Sequence, residues 1–300
     1  MAGNAGNAGN AGNAGNAGNA GNSGGGGGGT FFADRVDLPF TFDVLKGNNP
    51  PQNTDTTAIA DFPAALWDQQ WRSWLVLQEF AAVLQDSTKP PSAANRPKWS
   101  TYTFTTAIPA GQALLTELGL LESAAIDERP DAMGEILGQA EEFISYFINV
   151  LGINTTAFPY TRQLLHIGNL VGLFTVMFYK NAVHRVRPSQ LLPALMPPIP
   201  VPGHASFPSG HSTQSHLIAL CVALALPVDQ KTGVDTQAKV ALTAALGVLA
   251  GRIARNREIA GLHYKSDSDA GIELAQFCYG ILQTCATFQQ VVGAAVKEWQ

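Results

Sequence analysis

Three short segments, far apart in the chain, carry the group types that a tetrahedral oxyanion needs. The first holds Lys180 and Arg187-Pro188, the second reads Pro208-Ser209-Gly210-His211, and the third holds Arg257, His263 and Asp267. Between them they offer fixed cations, hydroxyl and amide donors, a pair of histidines and a carboxylate. Phosphoryl transfer spreads charge over several oxygens in its transition state, so preorganised cations and amides should supply most of the acceleration. A pair of histidines can then divide covalent and acid–base catalysis between them.

Taken singly, each segment has an ordinary explanation beside the chemical one. Lys180 and Arg187 stand seven positions apart on an expected helix, on the face that also holds His184. Two cations there repel unless an anion lies between them, or unless the face is simply solvated. Pro188 is expected to close that helix and aim Arg187 at the following loop. Pro208-Ser209-Gly210-His211 precedes an apolar run; free amides at a helix start bind anions, and glycine admits a ligand close to the backbone. The same segment also fits a plain helix N-terminus. Asp267, four positions after His263, can hold one ring nitrogen and raise the basicity of the other. A structural histidine beside a surface arginine is the alternative. The chemical complementarity of the three segments favours a site.

Together these residues resemble the signature of the superfamily that unites type 2 phosphatidic acid phosphatases, bacterial class A acid phosphatases and vanadium haloperoxidases. That signature is a lysine, six residues and Arg-Pro; then Pro-Ser-Gly-His; then Ser-Arg, five residues, His, three residues and Asp. One position departs from it, Asn256 standing where serine is usual before Arg257. The resemblance covers roughly residues 160 to 275, and residues 1 to 150 carry no such signature. It implies that Lys180, Arg187 and Arg257 clamp phosphoryl oxygens, with Ser209 and Gly210 assisting. It also implies that His263, oriented by Asp267, is the nucleophile, and that His211 protonates the leaving alkoxide and then activates water. The implied activity is phosphoric monoester hydrolysis without a cofactor.

The same superfamily allows a second fate for the site, in which vanadate is held through His263 and halide is oxidised by peroxide. His204, seven positions before His211, stands where bromoperoxidases of the superfamily also carry a histidine, as a halide or rim residue. His263-Tyr264 and Ser266-Asp267 resemble the bromoperoxidase form of the third segment. Against that fate stands the modest length of the chain. The expected partners are therefore a small phosphoester, or halide and peroxide.

The elements that must position these residues are helices. Helical patterns are expected over 110–124, 129–151, 160–186, 211–226, 235–258 and 268–296, and Thr101 to Thr106 is the sole strand candidate. An earlier helix is expected to begin at Asp61 and Pro63 and to bury a stripe of Trp67, Trp71, Trp74, Leu77, Phe80, Ala81 and Leu84. The proline-rich stretch from Pro188 to Pro208 reads as a loop. The expected architecture is an all-α bundle, residues 31–300 forming one catalytic domain with the site at facing helix ends.

Residues 2 to 22 are seven Ala-Gly-Asn triplets, followed by Ser23 and a run of glycines from Gly24 to Gly29. With no apolar side chain larger than alanine, residues 1–30 are expected to form a disordered tail. A net charge of −5 argues against nucleic-acid binding, which needs a basic surface. Cys221, Cys278 and Cys285 are too few for a disulfide framework and read as core, the last two on one helical face. The most apolar stretches, Leu164 to Tyr179, His216 to Leu226 and Val240 to Ala250, fall below the roughly 18–20 apolar residues that cross a bilayer. No secretory leader is visible. A cytoplasmic protein without membrane contact is the resulting expectation; oligomeric state is not legible.

Overall fold

The computed structural model describes residues 67–154, 156–228 and 235–300. The expected tail and the helix start at Asp61 and Pro63 lie outside these residues. The fold is all-α, with isolated bridges and no strand among the described residues.

Its centre is α5 (Pro159–Val183), which packs along its length against α7 (Gly210–Ala223). A Cβ at Gly168 would lie 2.7 Å from the Ile218 Cα, so the two backbones meet without side chains between them. On the far side of α7 lie α8 (Gln237–Ile259) and α9 (Lys265–Leu282). A Cβ at Gly271 of α9 would meet Ser212 Cβ at 2.7 Å and the Ser209 carbonyl at 3.0 Å. Leu164, Leu165, Ile167, Val171, Leu217, Ile218, Val222, Ile253, Leu274 and Ile281 fill the core between these helices.

The peripheral helices are α1 (Gln69–Ala82), α2 (Gly111–Asp127), α3 (Arg129–Glu141), α4 (Ile144–Leu151) and α10 (Ala286–Glu298). Two expected long helices are broken. The 129–151 helix divides at Glu142, whose carboxylate turns back to accept the Ser145 amide at 2.9 Å. The 268–296 helix divides after Leu282, and α10 starts afresh with its Ala286 and Thr287 amides donating to the Glu79 carboxylate at 2.7 and 2.9 Å. Cys278 and Cys285 therefore do not share a helix, although all three cysteines are buried. Thr101 to Thr106 is not a strand, because its amides are claimed by side chains. Tyr102 donates to the Tyr179 hydroxyl, and Thr105 and Thr106 to Glu273, each at 2.8 Å.

The tryptophan row is not core. Helix α1 buries Ser73, Val76, Leu77 and Phe80 against α5, while Trp67, Trp71 and Trp74 are 43%, 59% and 51% exposed. The helix carries two apolar stripes, and the one containing small Ser73 permits the closer approach.

Helix α8 corrects the reading of the apolar stretches. The helix runs beyond Val240–Ala250 on both sides, from Gln237 and through Gly251, Ile253 and Ala254 to Ile259. The result is a 23-residue element with an 18-residue window of mean hydropathy 1.2, of which 28% is buried. By length and composition it is able to cross a membrane, so the cytoplasmic expectation loses its premise.

Candidate active site

The three segments are brought together by the ends of α5, α7, α8 and α9. Lys180 lies in the last turn of α5, but Arg187 does not follow it on the same helix. His184 adopts the left-handed conformation (φ 56°) and donates its amide to the Lys180 carbonyl at 3.2 Å, ending α5 before Arg185. Arg187, which precedes proline, is extended (φ −79°, ψ 154°) and opens the one-turn α6 (Pro188–Leu191). His184 is left exposed. The expected common face is thus replaced by a chain reversal that turns Arg185 and Arg187 inward together.

The cations are buried and held by carbonyls. Lys180 Nζ donates to the Ala205 and Ser206 carbonyls at 2.8 and 2.7 Å. Burial, and next the Arg187 cation, lower the Lys180 pKa well below its usual value, while Asp267 opposes the change. Arg187 donates Nε to the His204 carbonyl at 3.1 Å and Nη1 to the Leu262 carbonyl at 2.8 Å. Burial lowers its pKa to about 10, so it stays charged at neutral pH. Arg257 donates Nη2 to the Ile136 carbonyl at 2.8 Å, while its Nε and Nη1 are buried with no partner. Buried guanidinium N–H groups without a partner are donors that suit the oxygens of an oxyanion.

Ser209 caps α7, its side chain accepting the Ser212 amide. Its own amide donates to the Asp267 carbonyl at 2.9 Å, which ties the second segment to the third. Gly210 is the first residue of α7, and His211 follows it. His211 Nε2 lies 3.2 Å from the Gln139 carbonyl, with its ring against Phe143. Burial and the Arg257 cation push the His211 pKa down to about 3.

His263 is the junction. Its Nδ1 lies 3.1 Å from Asp267 Oδ2, and its Nε2 lies 3.5 Å from Arg187 Nη1. With Nδ1 donating to the carboxylate, Nε2 keeps a lone pair facing the cations. Burial first, then Arg187, Lys180, His211 and His204, hold its pKa well below the usual histidine range. His204 Nδ1 sits 3.2 Å from Arg187 Nη2, and burial lowers its pKa to about 4. Lys180, Arg187, His204, His211 and His263 thus share one electrostatic environment, which Arg257 joins through His211.

Several residues of the site had no signal in the three segments. Ser206 donates to Asp267 Oδ2 and lies 3.4 Å from His263 Nδ1. Helix α3 gives the Ile136 carbonyl to Arg257 and the Gln139 carbonyl to His211. Asn256, at the departing position, donates Nδ2 to Glu135 and Gln139 at 2.9 Å each. It therefore braces the same helix and leaves the reacting groups untouched. Arg185 and Glu117 complete the surroundings of Asp267. Neither residue belongs to the pattern of the three segments. No cluster of metal-ligating side chains occurs among the described residues.

Residues 163–292 match the family model of the PAP2 superfamily. A solved structure similar to this chain is that of a transmembrane PAP2-type phosphatidylglycerolphosphate phosphatase from Bacillus subtilis. The two are 16% identical, with 73% of this chain and 96% of that one covered and a TM-score of 0.46. No curated protein matches the chain. The cytoplasmic expectation is corrected by helix α8, which has the length and composition to cross a membrane.

Proposed function

We propose, from the match of residues 163–292 to the PAP2 superfamily model and the geometry of the site, that the protein is a phosphatase-type hydrolase cleaving phosphoric monoesters through a phosphohistidine at His263. The observation that carries this reading is the orientation of His263, with Nδ1 against Asp267 and Nε2 against Arg187. An imidazole held in that way presents its lone pair to a phosphorus atom whose oxygens the cations would take up. Arg257, with two buried and unpartnered nitrogens, would bind one oxygen, and Lys180 and Arg187 would exchange carbonyl partners for others. Ser209 and Gly210 would donate to the remaining oxygen.

In the first step the Nε2 lone pair forms the N–P bond as the ester P–O bond breaks, and His211 gives its proton to the departing alkoxide. In the second, water attacks phosphorus, His211 takes its proton, and Nε2 is released. His211 is neutral in the free site. A phosphate dianion offsets the neighbouring cations and so raises His211's affinity for the proton it must donate.

The same cradle fits vanadate, since the unpartnered nitrogens of Arg257 suit either tetrahedral oxyanion. Lys180, Arg187, Arg257 and His263 Nε2 would hold it, and when bound it would supply peroxide activation for halide oxidation. His204, against Arg187, is the residue that favours this second reading. The deciding assay measures p-nitrophenyl phosphate hydrolysis, then bromide oxidation after vanadate loading, with His204→Ala alongside. Hydrolysis with an acid-labile, base-stable phosphoryl adduct that His263→Ala loses supports the phosphatase. Bromide oxidation that His204→Ala weakens, without hydrolysis of any phosphoester, overturns it.

A further inference from the structure

Behind His263 lies a buried charge relay that runs from Asp267 through Arg185 to Glu117. Asp267 is fully buried and uses both carboxylate oxygens. Oδ2 faces His263 Nδ1, the Tyr264 amide at 3.1 Å and the Ser206 hydroxyl. Oδ1 takes Arg185 Nη1 at 2.6 Å. The other arm of the Arg185 fork, Nη2, reaches Glu117 Oε2 at 3.1 Å, and the guanidinium lies 3.7 Å over the Tyr264 ring. Glu117 Oε1 accepts the Ser266 amide at 2.7 Å and its hydroxyl at 2.8 Å, so it also grips the turn that carries Asp267. Glu117 comes from α2, far outside the 163–292 match.

We propose that Arg185 and Glu117 are a positioning pair that fixes the Asp267 carboxylate and sets how much of its charge His263 feels. The inference rests on His263 being the phosphoryl acceptor. Arg185 compensates Asp267, and Glu117 in turn compensates Arg185, so the two act on His263 with opposite sign. Without the Arg185 cation, Asp267 stabilises an imidazolium more strongly, and His263 takes a proton at higher pH. Without the Glu117 charge, Arg185 draws more fully on Asp267, and His263 takes its proton at lower pH. The other charged or titratable groups facing His263, namely Lys180, Arg187, His204 and His211, are the same in both cases. A lysine at 185 keeps the charge but cannot bridge two carboxylates as the planar fork does. A pair serving only stability would give no opposed shifts.

The experiment compares Arg185→Gln, Arg185→Lys and Glu117→Gln in the full chain. It reads the acid limb of kcat/KM on p-nitrophenyl phosphate and the His263 titration by nitrogen NMR, assigned with His263→Gln. Arg185→Gln should lower kcat at least tenfold with KM within about threefold, and move limb and titration upward by about half a pH unit or more. Glu117→Gln should move both downward, and Arg185→Lys should restore the wild-type titration while recovering only part of kcat. Shifts of the same sign in Arg185→Gln and Glu117→Gln, or unmoved titrations with lowered melting temperatures, overturn the proposal. Should Arg185→Gln fail to fold, Glu117→Gln and Arg185→Lys still carry the test, and a Glu117→Gln titration that rises or stays put overturns it. A wild-type protein that hydrolyses no phosphoester while the titrations shift in opposite directions sinks the phosphatase reading and leaves the positioning pair standing.

Discussion

At the scale of single residues, the site is built from groups that are costly to bury and that therefore identify each other. His263→Ala should abolish phosphomonoester turnover, and Asp267→Asn should lower kcat by about 10–100-fold, as loss of an orienting partner does. Residual turnover near wild type in His263→Ala would displace the nucleophile. The histidines also set an acid sensitivity. Between pH 6.5 and about 3 the unfolded chain binds a proton at His211 that the folded chain refuses. Stability should therefore fall as pH is lowered through that window, because the unfolded state binds more protons there. His211→Asn should flatten the slope in denaturant midpoints measured from pH 7 to 4; an unchanged slope would refute the assignment. Lys180, Arg187, Ser209, Gly210, His211, Arg257, His263 and Asp267 were legible because their order and spacing form a pattern. Arg185, Glu117 and Ser206 were not, because each is an ordinary residue until folding places it against Asp267.

At the scale of elements, what the sequence concealed was where helices stop. The apolar period runs on through Glu142 and through Gln283 to Cys285, and only tertiary partners decide the breaks. The Glu142 carboxylate restarts one helix, and Glu79 caps another from α1. Arg187 is misassigned for a related reason, since nothing local announces that His184 takes a left-handed turn. The contacts between helices also depend on missing atoms. Gly168→Ala would place a Cβ 2.7 Å from the Ile218 backbone, and overpacking of this kind costs about 1–3 kcal/mol. A fall in Tm of roughly 5 °C should follow, with catalysis retained because the contact lies along α5 and not at its end. Gly271→Ala, which pushes on Ser212 and the Ser209 carbonyl, should instead lower kcat as well as Tm. Equal kcat for the two variants would show that α7 does not transmit the strain to its N-terminus.

At the scale of the whole molecule, the all-α class was legible from helical periodicity, while the sorting of inside from outside was not. Periodicity says that α1 is amphipathic but not which of its two apolar stripes faces α5, and the larger stripe remained outside. The most consequential global feature is the burial of Lys180, Arg187 and Arg257, each no more than 2% exposed, around one place. Cations gathered in that way oppose folding until an anion joins them. Inorganic phosphate at about a hundred times its dissociation constant should stabilise the fold by about 2.7 kcal/mol. A Tm rise of several degrees with phosphate, and none with chloride at equal ionic strength, is the expected measurement. Phosphate is also what the proposed reaction releases. Proteolysis inside a cell follows the unfolded population, so the protein should persist longest where the product of the proposed reaction accumulates and be cleared where phosphate is scarce. The buried cations would thus tie the lifetime of the molecule, and not only its rate, to the chemistry proposed for it.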